Sequence, residues 1–244
     1  MESLLTSAQH ADLYDAENLW TVAEDFFLRF TNATPASRVL DLGCGTGRLT
    51  IALAQAGHEV SGVDPHSGSM AAARAKPGAD AVRWIDGTSS VLGEEEVFDT
   101  VLMTSHVAQA IVDEDEWTRT LANIKRVLVP GGRLVFDSRD PAARAWETWT
   151  PAQTRSEFTL SDGTHLQSWI DSALHDEGLI KITEHRLFAD SSREMQDALL
   201  AFRSEDQLRA DLSVAGLQVD EVLGGWSHEP VGHGAGELIF LAHA

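Results

Sequence analysis

The sequence predicts an α/β fold built around a mostly parallel sheet, and three observations support that prediction. Short apolar runs rich in β-branched residues alternate with helical patterns over residues 38–142, as they do in successive βαβ units. A glycine or proline follows each helical pattern, where the chain should turn back into the sheet. A glycine-rich run at residues 43–47 directly follows the first apolar run, which is typical of a loop that approaches a ligand closely.

Each predicted element of this region has its own local signal. The apolar runs predict strands at residues 38–42, 59–64, 81–85, 98–103 and 133–137. The helical patterns predict helices at residues 48–56, 67–75 and 114–128. Gly57, Pro77 and the Pro130-Gly131-Gly132 turn end these helices, because neither residue type favours continuation of a helix.

Residues 143–203 differ from the rest of the chain. Alternating segments are separated by turn-forming clusters, and these segments lie at residues 155–160, 165–173, 179–188 and 194–202. This pattern predicts an antiparallel meander inserted after the fifth strand. We therefore expect a core of residues 1–142 and 204–244, with an inserted antiparallel β lid of residues 143–203.

The chain after this insertion returns to the pattern of the core. Ser204 as N-cap and Gln207 three residues later predict the start of a helix that ends at Gly216. Two apolar segments, at residues 217–223 and 237–243, predict the last two strands.

The composition excludes some classes of function. The 244 residues include 38 acidic and 18 basic ones, a formal charge of −20 that repels phosphate backbones, so we expect no nucleic-acid partner. Cys44 is the only cysteine, which excludes an internal disulfide and fits a reducing compartment. The sequence begins without a secretory leader pattern, and its apolar runs are too short for a membrane span. These observations predict a soluble cytoplasmic protein without a membrane partner.

Three acidic residues follow three successive predicted strands. Asp41 lies at the end of the first strand, Asp64 at the end of the second, and Asp86 after the third. Each alone is compatible with an ordinary turn. Together they predict one ligand crevice, because the carboxyl ends of parallel strands meet at the same edge of a sheet. Asp41 favours a cationic ligand over a pyrophosphate, and Arg48 occupies the place of the third glycine of a dinucleotide-binding loop.

The run from Val39 to Gly47 resembles the first motif of class I S-adenosylmethionine-dependent methyltransferases. Later stretches resemble further motifs of that family, namely Gly62-Val63-Asp64, Asp86-Gly87, Phe98-Asp99-Thr100-Val101 and Leu128 to Leu134. The resemblance implies a Rossmann-like sheet of seven strands, mostly parallel, with the last strand antiparallel. It also implies S-adenosyl-L-methionine as cofactor and S-adenosyl-L-homocysteine as product.

The resemblance also implies roles for individual residues. The expected cofactor-binding residues are Tyr14, Asp41, Gly43, Gly45, Gly47, Asp64, Asp86, Gly87 and Met103. The methionine moiety should lie near Asp41 and the glycine loop, the ribose at Asp64, and the adenine at Asp86 and Gly87. An N-terminal tyrosine often closes over the cofactor in such enzymes, and Tyr14 is at the matching place.

The inserted meander resembles the lid of small-molecule N-methyltransferases, including those that act on amino sugars and glycine. N-methylation of a small molecule is therefore slightly favoured over O-methylation, since an amine acceptor needs no strong base. His106, just after the fourth predicted strand, is the candidate general base, and its alternative role is to pack beside the cofactor or cap the next helix. No clustered spacing of histidines and acids predicts a metal site.

Two other classes of function stay open at the level of sequence. One is an NAD(P)-dependent oxidoreductase, which the positions of Arg48 and Asp41 disfavour. The other is a non-catalytic regulatory protein that binds the same cofactor. The methyl acceptor and the oligomeric state are not determined by any pattern in the sequence.

Overall fold

The computed structural model describes residues 3–176 and 178–244. The strands in this part of the chain are β1 (Arg38–Leu42), β2 (Glu59–Asp64), β3 (Val82–Asp86), β4 (Phe98–Met103), β5 (Leu128–Arg139), β6 (Ser156–Thr159), β7 (His165–Asp176), β8 (Leu179–Phe188), β9 (Arg193–Ala201), β10 (Gln218–Leu223) and β11 (Glu237–His243). The helices are α1 (Ser7–Glu17), α2 (Val22–Asn32), α3 (Arg48–Gln55), α4 (Ser67–Ala75), α5 (Val107–Ala110), α6 (Glu114–Val127), α7 (Pro151–Thr154) and α8 (Glu205–Val214).

Seven of the described strands form one sheet in the order β10-β11-β5-β4-β1-β2-β3. β1 pairs in parallel with both β2 and β4, whereas β11 is antiparallel to its neighbours β5 and β10. The predicted Rossmann-like fold with an antiparallel last strand is therefore confirmed. The chain runs from β1 outwards to β2 and β3, and then crosses back to β4 on the other side of β1. A crevice opens at the carboxyl ends of the strands where the direction reverses.

Both faces of this sheet are covered, because its central strands are apolar on both sides. Leu40 of β1 belongs to a buried cluster with Trp117 and Leu121 of α6. Val39, which points to the opposite face, belongs to a second cluster with Phe27 of α2. The large helices on both faces hold the ends of the strands in place, and with them the crevice.

The other described strands, β6 to β9, form a four-stranded antiparallel sheet that we call the lid sheet. The predicted meander is thus present, and its strands begin and end within three residues of the predicted segments. Leu166 of the lid sheet packs with Leu5 and Leu13 of the N-terminal segment. Ser204 and Gln207 form the predicted capping box at the start of α8.

None of the helices in the described ranges has both the length and the apolar character required to cross a membrane.

Candidate active site

The loop between β1 and α3 is shaped by its glycines. A Cβ atom on Gly43 would lie 2.3 Å from a methyl carbon of Val107, so only glycine allows this close approach. Gly45 has a φ of +54° and, among the described residues, no heavy atom within 4 Å of an added Cβ position. Gly43 is therefore required for packing, whereas Gly45 leaves room beside a cavity of about 220 Å³. We call this the loop cavity.

Asp41 is a buried carboxylate in the wall of the loop cavity, with an exposed fraction of 1%. Its Oδ2 accepts a hydrogen bond of 2.6 Å from the Thr50 hydroxyl, while Oδ1 has no partner among the described residues. Burial raises the pKa of Asp41 to about 6, and the nearby charge of Asp64 acts in the same direction. An unpartnered buried carboxylate oxygen is costly, and a cationic ligand group would remove that cost.

Asp64 connects the loop cavity to a second cavity. Its Oδ2 accepts from the Gly45 amide at 2.9 Å, and its Oδ1 accepts from the His66 amide at 2.8 Å. These bonds fix the carboxylate at the end of β2, and each oxygen keeps lone-pair capacity for a further donor. The carboxylate is thus held in one orientation, with acceptors available to ligand hydroxyls.

The loop cavity also contains a positive charge that the sequence interpretation did not use as a binding group. Arg48, the first residue of α3, lines the cavity beside Glu24 and lies 3.4 Å from that carboxylate and 3.7 Å from Asp15. The cavity therefore offers a cation and the unpartnered oxygen of Asp41. The signal in the sequence was a long basic side chain at the start of the helix after the glycine loop.

The second cavity, of about 310 Å³, lies next to β3 and is lined by Gly87, Thr88 and Ser89. We call it the β3 cavity. Asp86 does not line it: both of its oxygens accept hydrogen bonds from Arg74, at 3.0 and 2.6 Å, and 57% of its side chain is exposed. The Arg74 guanidinium lowers the pKa of Asp86. Asp86 is thus held by Arg74 outside this cavity, whereas Gly87 lines it.

Met103 is also placed differently from its expected role. It has no exposed surface and belongs to the apolar core cluster beneath the sheet edge. Thr104 and Ser105, which follow it, line the loop cavity instead. The side chains of a strand alternate between faces, so the last residue of β4 points into the core and the loop after it reaches the ligand crevice.

Tyr14 of α1 lies where the loop cavity meets a third and larger cavity of about 580 Å³. We call the latter the α1 cavity, since it lies between α1 and the strands β8 and β9. Tyr14, His66 and Ser69 line both cavities. Desolvation raises the pKa of Tyr14, and the nearby Ser105 side chain acts in the opposite direction.

His106 occupies a cluster with two carboxylates. Its Nε2 lies 2.9 Å from Glu237 Oε2 and 3.3 Å from Asp137 Oδ2, and its backbone amide donates to Asp137 at 3.1 Å. Burial raises the pKa of Asp137, and the positive charge of a protonated His106 would oppose this. When Nε2 donates to Glu237, the other ring nitrogen of a neutral His106 is free to accept a proton.

The sequence predicted His106 but neither of its partners, and it predicted no metal site. Glu237 is 131 residues away and reaches His106 only because β11 pairs with β5. One nitrogen and two carboxylate oxygens of this cluster lie within 4.8 Å of one another, a donor set that is compatible with a metal ion.

Comparisons with known proteins identify the family. Residues 39–132 match the family model described as a methyltransferase domain. This part of the chain is therefore a methyltransferase domain, which agrees with the predicted family, and the crevice between its strands lies within it.

Two curated relatives match different lengths of the chain. A cypemycin N-terminal methyltransferase from a Streptomyces species is 36% identical over 104 residues, which cover 43% of this chain and 42% of that protein. A ubiquinone biosynthesis O-methyltransferase from a Bradyrhizobium species is 30% identical over 161 residues, 64% of this chain and 60% of that protein. The chain thus matches less than two thirds of the length of either relative.

The likeness to a solved structure extends over nearly the whole chain. The sugar N-methyltransferase KedS8 from a Streptoalloteichus species has a TM-score of 0.75 and 19% identity, with 98% of this chain and 94% of that chain covered. At this level of identity the likeness concerns the fold alone.

Proposed function

We propose that this methyltransferase transfers the methyl group of S-adenosylmethionine to a small molecule, with an amine as the favoured acceptor. The observation that carries the proposal is the unpartnered, buried Oδ1 of Asp41 in the loop cavity. A carboxylate at this place favours a ligand with a cationic group and disfavours the pyrophosphate of NAD(P). The formal charge of −20 likewise favours a small molecule over a nucleic acid as acceptor.

The charged groups of the loop cavity fit the methionine end of this cofactor. Asp41 is suited to its ammonium group and Arg48 to its carboxylate, because each finds a partner of opposite charge. Asp64 has acceptor capacity for the ribose hydroxyls, and the β3 cavity next to Gly87 would hold the adenine. Tyr14 would cover the bound cofactor on the side that faces the acceptor.

The cofactor, when bound, supplies an electrophilic methyl group on a sulfonium. Transfer to an amine forms a nitrogen–carbon bond and breaks the sulfur–carbon bond, so sulfur keeps the electron pair and the product ammonium later releases a proton. The residues of the chain must align the acceptor and exclude water. We assign this task to α1 and to residues 143–203 acting as a lid, since Tyr14 and the lid sheet both border the α1 cavity.

O-methylation is the second candidate, and the contact between His106 and Glu237 favours it. A histidine held by a carboxylate can accept the proton of an alcohol, a contribution of about 10² to 10⁴ in rate. His106→Asn and Glu237→Gln distinguish the two reactions. A loss of about 100-fold or more in kcat with an alcohol acceptor, relieved as pH rises, would favour O-methylation. Turnover of an amine acceptor within about threefold of the original protein would favour N-methylation.

Calorimetric titration with S-adenosylhomocysteine and with NAD tests the cofactor. We expect S-adenosylhomocysteine to bind and NAD not to bind. Asp41→Asn should weaken S-adenosylhomocysteine by about 10-fold or more, since a hydrogen bond to a charged group contributes ~1.5–3 kcal/mol. Glu95→Gln, an exposed carboxylate in the loop before β4, is the matched control. Binding of NAD alone, or equal affinity of the Asp41→Asn protein for S-adenosylhomocysteine, would contradict the proposal.

A further inference from the structure

The α1 cavity has an excess of negative charge. Glu17 of α1, Glu184 of β8 and Glu194 of β9 line it, and Arg186 is the only lysine or arginine among its described lining residues. Arg186 lies 2.6 Å from Glu194 and 2.5 Å from Glu184, so one guanidinium is shared by two carboxylates. The third carboxylate, Glu17, lies near Ser168, whose side chain lowers the pKa of Glu17. The cavity therefore suits a cation.

The lining histidines do not remove this excess. Desolvation is the largest influence on His10 and lowers its pKa, which favours the neutral ring at neutral pH. His66 accepts the Ser69 amide at its Nδ1, a contact that requires an unprotonated nitrogen. Desolvation raises the pKa of Glu17, as expected for a carboxylate that lacks a cationic partner of its own.

Arg186 supplies a second and independent observation. Its side chain is 7% exposed, and its Nε is buried without a hydrogen-bond partner among the described residues. A buried N–H group without an acceptor is costly. Glu184 and Glu194 accept from the other two nitrogens of this guanidinium. An oxygen atom of a ligand would provide the acceptor that the Nε lacks.

The position of the cavity connects it to the transfer reaction. Tyr14 and Glu17 are three residues apart on α1, and such residues lie on the same face of a helix. Tyr14 belongs to the wall shared with the loop cavity. A ligand held by Glu17 would thus lie within one helical turn of the proposed methyl donor.

We propose that the α1 cavity binds the methyl acceptor as an amino alcohol, with Glu17 and Glu184 holding its ammonium group and Arg186 its neighbouring oxygen. This inference rests on the proposed function for its role in methyl transfer. The volume of about 580 Å³ is ample for a ring with several substituents.

Three small probes test the inference in the presence of saturating S-adenosylhomocysteine. They are trans-2-aminocyclohexanol, cyclohexylamine without the hydroxyl, and trans-cyclohexane-1,2-diol without the charge. Dissociation constants from NMR titration should increase in that order. The double variant Glu17→Gln/Glu184→Gln should weaken the two amines by about tenfold and leave the diol unchanged. Asp197→Asn is the matched control, because it removes a carboxylate that pairs with Lys181 at the exposed side of the lid sheet.

The outcomes separate this inference from the proposed function. Binding of S-adenosylhomocysteine together with equal affinity for the amine and the diol would overturn the amine site and leave the proposed function standing. Amine binding that depends on Glu17 and Glu184 without any binding of S-adenosylhomocysteine would support the amine site and refute the proposed function. Glu17→Gln alone carries the test if the double variant fails to fold, since Glu184 contacts Arg186 and Glu17 does not share that ion pair.

Discussion

The buried carboxylate of Asp41 makes the stability of the protein depend on pH. The substitution Asp41→Asn separates this contribution from those of other groups. Burial raises the pKa of Asp41 from an ordinary value of 3.8 to about 6. The folded state therefore retains a proton that the unfolded state has already released between these pH values. The contribution of this group to the free energy of unfolding is greatest below about pH 4, falls as the pH rises towards 6, and then stays constant.

The size of this effect follows from the two pKa values. A change of one in pKa corresponds to ~1.4 kcal/mol, so ionised Asp41 costs the ligand-free protein about 3 kcal/mol at pH 8. The side chain is 1% exposed, so solvent screening is small. Asp41→Asn removes the ionisation, and the free energy of unfolding of this variant should lack the corresponding decrease.

Urea unfolding of both proteins at several values between about pH 4.5 and 8 measures the difference. We expect the free energy of unfolding of Asp41→Asn, relative to the original protein, to increase by ~2–3 kcal/mol across this range. Taking the difference removes the contribution of other buried acids such as Asp137. Glu95→Gln should show no such change. A difference that stays constant within ~1 kcal/mol from pH 4.5 to 8 would refute the interpretation of Asp41 as a desolvated carboxylate.

Four further predictions concern ligand affinity, measured by calorimetric titration with S-adenosylhomocysteine. Affinity should decrease as pH falls below about 6, because protonated Asp41 cannot pair with an ammonium group. Thr50→Val should move that decrease to higher pH, since the Thr50 hydrogen bond favours the ionised form, and an unmoved midpoint would contradict it. Gly45→Ala should weaken binding by about tenfold, because its methyl group would enter the loop cavity and its φ is positive; unchanged affinity would show that the ligand lies elsewhere. Asp86→Asn should change affinity by no more than about twofold, since Arg74 already holds that carboxylate at the surface. A tenfold loss of affinity would instead support the contact between Asp86 and the adenine that the sequence predicts.

Some differences from the sequence prediction have a local cause. β5 begins at Leu128 rather than five residues later, because Leu128 already pairs with Phe98 of β4 before the Pro-Gly-Gly turn. The apolar pattern contains no sign of this pairing, since the turn interrupts it. From the sequence, Cys44 indicated only a reducing compartment. In the structure it packs against Met70, and burial raises the pKa of its thiol.

Local sequence patterns predicted the succession of strands and helices along the chain, the glycine loop and the acids at the strand ends. These features depend on local rules: periodicity, helix capping and the conformations open to glycine. Whether each of these residues lines a cavity depends on the packing of the elements, which the local patterns do not specify. Asp41 keeps an unpartnered oxygen in a cavity, whereas Asp86 is held by Arg74 and Met103 lies in the core.

The tertiary structure also brought together residues that no sequence pattern connects. Glu237 meets His106 through the pairing of β11 with β5, and Arg186 meets Glu17 in one cavity because the lid sheet packs on α1. Contacts between residues more than a hundred positions apart depend on strand order and on the packing of whole elements. Local periodicity specifies each element, but it does not specify which side chains the assembled elements place around a cavity.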